Sequence, residues 1–233
     1  MPSAFAQWLN SAFYGFDHAI LEFYHNLAKV ADPVCRPISE FFAFIGDGAM
    51  ICFVVAAIML LFAKTRKSGI CIALSVGLAA LITNVTVKPL VARPRPYASG
   101  VSDFVEWWNY VGGHVHSEHS FPSGHTTSAM AGALALCFCL CLVNGRENNR
   151  KYRWVLVPSA VFVILMGASR NYIMVHYPTD IIGGMIAGSV GAVAAFLLIH
   201  FLYKGLEGNR DSRICSFILN ADIKNLFKKR NNK

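Results

Sequence analysis

The chain has 233 residues, 55% of them hydrophobic and 15% charged, with 21 Lys+Arg against 13 Asp+Glu for a formal charge of +8. About 25% charged residues is usual in a soluble domain, so this composition excludes a soluble globular domain, a disordered chain and a disulfide-stapled secreted module. Five stretches without Asp, Glu, Lys or Arg (48–63, 68–87, 126–145, 154–169 and 181–203) predict a polytopic membrane protein instead.

The first 45 residues read differently. Phe5, Trp8, Leu9, Ala12, Phe13, Phe16, Ile20, Phe23, Tyr24 and Leu27 recur at helical spacing, with Gln7, Asn10, Ser11, His18, Glu22 and His25 largely between them. That pattern predicts an amphipathic helix lying in the interface or packed across the bundle. The alternative is a sixth span through 5–27, which would bury Asp17 and Glu22. The first basic residue is Lys29, so the charged leader of a cleavable signal is missing.

Each of the five stretches needs about 20 residues to cross the hydrocarbon core, and the sixteen-residue ones reach it with snorkelling flanks. Lys64, Arg66 and Lys67 follow the first. Arg146, Arg150, Lys151 and Arg153 follow the third, and eight more cations follow Phe201. Fifteen of the twenty-one basic residues thus fall on one side, which the positive-inside rule places in the cytoplasm. The 88–122 and 170–180 loops then lie outside. Cys52, Cys71, Cys137, Cys139 and Cys141 lie inside the apolar stretches and read as small packing residues. Gly184 and Gly188 predict close helix packing, and Asn84 a hydrogen bond between helices. The domain reading is 1–45 amphipathic helices, 46–204 transmembrane catalytic core, and 205–233 a basic cytoplasmic tail attracted to anionic lipid.

Three polar clusters stand at the outer ends of these spans. They are Lys88-Pro-Leu-Val-Ala-Arg-Pro-Arg95-Pro96, Phe121-Pro122-Ser123-Gly124-His125, and Ser169-Arg170 through His176-Tyr-Pro178-Thr-Asp180. Lys88, Arg95 and Arg170 supply cations, and Arg forks match phosphate oxygens. Pro122 and Ser123 predict a helix start whose N–H groups and dipole favour an anion. Pro178 suits the first turn of the last span. His176 with Asp180 has the pairing that activates a nucleophile, and His125 is available to protonate a leaving oxygen. The set predicts a site for a multiply charged oxyanion, phosphate above all, and requires no metal cofactor.

Lys88-x6-Arg95-Pro96, Pro122-Ser123-Gly124-His125 and Ser169-Arg170-x5-His176-x3-Asp180 resemble the three signature motifs of the type 2 phosphatidic acid phosphatases. That superfamily includes bacterial undecaprenyl-diphosphate phosphatases, glucose-6-phosphatase and the soluble vanadium haloperoxidases. The resemblance implies an all-α helix bundle with a haloperoxidase-like phosphatase core. It implies a phosphohistidine at His176 polarised by Asp180, with His125 as acid and Lys88, Arg95, Ser123, Gly124 and Arg170 binding the phosphoryl oxygens. Arg93 reads as a contact behind the site or to a headgroup.

Compact length and short loops are most similar to the undecaprenyl-diphosphate phosphatases of a bacterial cytoplasmic membrane, with the site facing outward. Phosphatidic acid, phosphatidylglycerol phosphate or phosphoryl transfer to another lipid is the alternative. A haloperoxidase, and a transporter or scaffold, are the readings of other classes. The expected partners are a lipid phosphate and the bilayer, with no nucleic acid; oligomeric state stays open. His114, His116, Glu118 and His119 form either a polar lid or a metal cluster, and Trp107, Trp108 and Tyr110 read as interfacial aromatics.

Overall fold

The fold is seen in a computed structural model that describes residues 2–116, 119–142, 153–220 and 222–223, the side chains of 141, 142, 153 and 218 aside. Arg146, Arg150, Lys151, Ser117, Glu118 and the basic residues from Lys224 onward lie outside the described residues.

Described residues form helices and turns without a strand. They are α1 (Ala4–Ala12), α2 (Tyr14–Gly46), α3 (Met50–Leu60), α4 (Ala63–Ala80), α5 (Lys88–Val91), α6 (Ser102–Tyr110), α7 (Gly124–Leu142), α8 (Leu156–Tyr172), α9 (Pro178–Gly208) and α10 (Arg213–Asn220). A π-helical stretch, Leu81–Val87, continues α4 into α5. By length and composition 14–60, 63–98 and 178–208 suffice to cross a membrane, and Gly124–Leu140 is a shorter apolar helix. The five apolar stretches of the sequence thus correspond to α3, α4 with its π stretch, α7, α8 and α9.

Small residues hold the bundle together. A Cβ on Gly188 would stand 2.5 Å from Thr127 O, one on Gly184 2.7 Å from Ser123 O, and one on Gly191 2.7 Å from Ala79 Cβ. Helix α9 therefore packs backbone to backbone on α7 and α4. In hydrocarbon, where lipid tails are as apolar as leucine, such close packing replaces the hydrophobic drive to associate. Ser75 Oγ donates to Ala131 O at 2.9 Å, pinning α4 to α7 at their middle. Ala79, Ala131, Ala135 and Ala195 fill the seam around it.

Helices α1 and α2 lie across one end of this bundle. Ser3 caps α1, accepting from Ala6 N at 3.1 Å, and Phe13 breaks the chain before α2. Helix α2 kinks at Ala31 (φ −130°, ψ 18°), directly before Pro33 and Pro37, which remove helical N–H donors. Its polar contacts all reach the same end: His18 to Asp103, Arg36 to Tyr110 O, Tyr172 to Asp32, and His114 to Glu40. Over 5–27 the chain therefore packs at the end that carries α6, and 14–60 is also long and apolar enough to cross a membrane. Asp17 is nevertheless buried, because a cation meets it there.

Two of the three aromatics in α6 differ from the interfacial reading, while Tyr110 is 46% exposed. Trp107 is buried with Phe104, Tyr172 and Tyr177 in the core of this end, and Trp108 stacks on Tyr97 at 4.6 Å. They are packing residues of an ordered cap rather than an interfacial belt. At the opposite end α10 presents Ile214 and Phe217 outward, and Asp222 accepts from Ala63 N at the α3–α4 turn.

Candidate active site

The ends of four helical segments converge beneath this cap. Between α2 and α3 the chain turns sharply, with Gly48 at φ +54° and Ala49 at φ +58°. A left-handed alanine is strained, and such strain clusters at functional sites. The turn places Asp47 at the edge of a cavity of about 190 Å³ lined by Asp47, Lys88, Arg95, His116, Gly124, His125, Arg170 and His176. The π stretch ends at Lys88, which is 6% exposed. Widening a helix by one residue per turn re-aims the side chains that follow, and π segments recur at functional sites for that reason.

Arg95 donates through Nη1 to Val175 O at 2.8 Å and lies 3.3 Å from His176 Nε2. Arg170 is 1% exposed, with Nε donating to Ser169 Oγ. Its Nη2 is buried without a partner among the described residues. An unpaired guanidinium nitrogen in a closed site is costly unless an anion fills it. Two Arg, one Lys and the first turn of α7 therefore form a cage for an oxyanion.

His176 lies in the buried segment between α8 and α9, its carbonyl held by Asn171 Nδ2 at 2.9 Å. Its Nδ1 stands 3.4 Å from Asp180 Oδ2, and its Nε2 faces the cavity. Pro178 opens α9, and Asp180 Oδ2 also accepts from Tyr177 N at 2.9 Å, so the carboxylate caps the helix it belongs to. Burial pushes His176 down to about 4, and neighbouring Arg95 and Lys88 add to that against the pull of Asp180. The ring is therefore neutral at physiological pH, the form that can act as a nucleophile. His125 lines the same cavity, with Nε2 3.3 Å from Ala43 O.

Seven of the eight expected residues meet as read from the sequence, and Ser123 stands apart from them. Ser123 is fully buried beside the cavity, but its N–H donates to Asp180 O and its hydroxyl accepts from Thr126. It ties α7 to α9 instead of facing the chamber. Arg93 is no headgroup contact either: it is 0% exposed and ion-paired to both Asp17 and Asp180. Asp47 was not singled out in the sequence, where its only signal is a carboxylate at the mouth of the first charge-free stretch.

His116 reaches the cavity because Tyr97 Oη bonds both its N–H and its C=O, at 3.0 and 2.9 Å. Burial, with Arg95 and Arg170 nearby, lowers it to about 4. A second chamber adjoins the first through Asp47, His116, His125 and Arg170, and extends to Glu40, Phe44 and His114. Among the described residues no three His, Cys, Asp or Glu form a metal-holding group.

A sequence model of the PAP2 superfamily matches residues 68–204, and the chain belongs to that superfamily. An undecaprenyl-diphosphatase of Sulfolobus acidocaldarius is 31% identical over 135 residues, which are 58% of this chain and 57% of that relative. The chain thus spans little more than half of that relative's length. A lipid A 4′-phosphatase of Porphyromonas gingivalis is 31% identical over 193 residues, 79% of this chain and 73% of the relative. The crystal structure of a transmembrane PAP2-type phosphatidylglycerolphosphate phosphatase from Bacillus subtilis shares the fold, with a TM-score of 0.62 at 23% identity over 86% of this chain and 90% of that one.

Proposed function

We propose that the protein removes a terminal phosphate from a membrane lipid through a phosphohistidine at His176, with undecaprenyl diphosphate, yielding undecaprenyl phosphate, as the substrate. The observation that carries the reading is the buried Nη2 of Arg170, which has no partner among the described residues, in a cavity lined also by Lys88, Arg95, His125 and His176.

His176 Nε2 attacks phosphorus while the phosphorus–oxygen bond to the lipid breaks. The electron pair goes to the leaving oxygen, which takes a proton from His125 acting as acid. Lys88, Arg95 and Arg170 hold the equatorial oxygens, where charge accumulates in the transition state. Water then attacks the phosphohistidine, His125 accepts its proton, and inorganic phosphate leaves. Gly124 admits the phosphoryl group close to the α7 backbone, and Ser123 holds that backbone against α9.

The adjoining chamber accounts for a diphosphate: with the terminal phosphate in the cage, the second phosphate lies beside His116 and Arg170. The undecaprenyl-diphosphatase relative supports the same choice. A lipid monophosphate is the second reading, favoured by the lipid A 4′-phosphatase relative. Lys64, Arg66 and Lys67 stand at the start of α4, the end of that helix away from Lys88, and with the charge bias of the sequence this supports a site turned outward from the cytoplasm.

The test is phosphate release by purified protein in detergent from undecaprenyl diphosphate, phosphatidic acid, phosphatidylglycerol phosphate and a water-soluble ester. EDTA-resistant release that disappears in His176→Ala and is inhibited by vanadate is the expected result. Release that persists in His176→Ala overturns the mechanism. Preference for a monophosphate moves the substrate to the second reading.

A further inference from the structure

One group of buried charges has no place in the chemistry above. Asp17 belongs to α2, outside the 68–204 match to the family, and is 2% exposed. Its Oδ2 accepts from Arg93 Nη2 at 2.8 Å and from Thr179 Oγ1 at 2.7 Å, and its Oδ1 accepts from Thr179 N at 2.9 Å. Arg93 in turn donates through Nη1 to Asp180 Oδ1 at 2.7 Å and through Nε to Asn10 Oδ1 at 2.8 Å. The guanidinium also lies 3.8 Å from the centroid of the Tyr177 ring. So the carboxylate that faces His176 with one oxygen is gripped by a cation through the other.

We propose that Asp17 is a positioning residue for the His176–Asp180 pair, acting through Arg93. This rests on the phosphohistidine reading of His176.

Arg93 and His176 compete for one carboxylate. With Asp17 present, Arg93 has an anion of its own, and the buried group of Asp17, Arg93, Asp180 and neutral His176 carries one net negative charge. When Nε2 bonds to phosphorus while Nδ1 keeps its proton, the ring becomes cationic and the group becomes neutral. Without Asp17 the same step would take the group from neutral to one net positive charge. Charge is expensive where water is excluded, so Asp17 favours the phosphorylated state over the resting one. The three residues also fix geometry: Asp17 holds the first turn of α9 through the Thr179 N–H, and Asp180 lies in that turn.

The test compares the full-length wild type, Asp17→Asn, Arg93→Gln and the double variant in detergent, by steady-state lipid phosphate release. Each is first checked for a monodisperse profile and for orthovanadate binding, which depends on a cage none of the substitutions touches. Asp17→Asn is expected to lower kcat about 10- to 100-fold, the usual range for groups acting through a functional neighbour. Its KM should stay within about threefold, since ground-state contacts to the lipid are unaltered. The double variant removes the cation together with its lost counter-ion. It should turn over at least about fivefold faster than either single variant, a coupling expected only of groups in one network.

A purely structural role predicts that kcat per vanadate-binding molecule is the same in all four proteins, even where stranding one buried charge lowers the yield of a single variant, and that result overturns the proposal. So does an Asp17→Asn kcat within about twofold of wild type. If Asp17→Asn does not accumulate as vanadate-binding protein, the double variant against Arg93→Gln decides in the same way. Turnover that survives His176→Ala is a separate outcome, which removes the phosphohistidine reading itself.

Discussion

The bundle's middle and its capped end are built on opposite terms. In the middle, Ser75, Ala79, Ala131, Ala135, Gly188 and Gly191 bring α4, α7 and α9 into backbone contact with hardly a charge in reach. At the capped end Phe104, Trp107, Tyr172 and Tyr177 make a large-residue core around fully buried Arg93, Asp17 and Asp180. The difference follows from the solvent. Lipid offers no hydrophobic reward for burying a ring, so helices there gain by approaching closely. The capped end borders water, where aromatic burial is favourable and can carry the cost of burying charges, provided each finds a partner. The small-residue seam holds the helix ends in register, and the capped end turns that register into chemistry.

That contrast can be broken at either end. The largest effect is on catalysis alone. His176→Ala should lower lipid phosphate release by about 10⁴-fold or more while leaving thermal unfolding in detergent nearly unchanged. The same residue sets an acid limit. Because burial holds its ring down to about 4 against an ordinary 6.5, wild-type activity should persist as pH falls through 6 and 5 and be lost near 4, as the nucleophile protonates. The sign for stability agrees. Between those two values the unfolded chain binds a proton that the folded one refuses, so stability falls as pH is lowered across that window. A pH profile of kcat/KM with an acid limb near 6.5 would contradict this.

Next comes Arg93→Ala, which strands two buried carboxylates. Removing one partner of a buried ion pair costs about 3–5 kcal/mol, so the variant should unfold far earlier in a detergent melt. Gly188→Leu attacks the other region. Its side chain would meet Thr127 O and Met130 Cβ within 2.8 Å, so α9 must move off α7. Overpacking of this kind costs about 1–3 kcal/mol, and here activity should fall as well, since Ser123 and Asp180 ride on the two helices being parted. The smallest effect is expected from Glu40→Gln. It alters a contact with His114 that is 40–45% exposed, and exposed polar pairs contribute about 0–1 kcal/mol. A loss as large as that of Arg93→Ala would show that the exposed pair is part of the cap's core.

Much of this was readable in the residues themselves. Lys88, Arg95, His125, Arg170, His176 and Asp180 stand at the ends of charge-free stretches, and span topology alone carries them to one face. Gly184 and Gly188 announced the α7–α9 seam for the same local reason. What stayed hidden depends on partners remote in the chain. Asp17 meets Arg93 across 76 positions and Thr179 across 162, and periodicity in α2 carries no trace of either. Asp17 therefore read only as an obstacle to a sixth span. Trp107 was misread because an aromatic near a membrane end has the same sequence signature whether it faces lipid or the core of a cap. His116 reaches the cavity only through Tyr97 Oη, a bond no spacing rule encodes.

The position of Asp17 has a consequence for how the protein is made. Ribosomes deliver Asp17 first, Arg93 next, and Thr179 and Asp180 only with the last apolar helix. Until that helix inserts, Arg93 can meet one of its two carboxylates, and the third motif has no counterpart across the membrane end. Arrival of α9 and completion of the site are thus one event. A chain halted short of α9 is left with an unfinished cluster of charge, which distinguishes it by electrostatics alone from a chain in which α9 is in place.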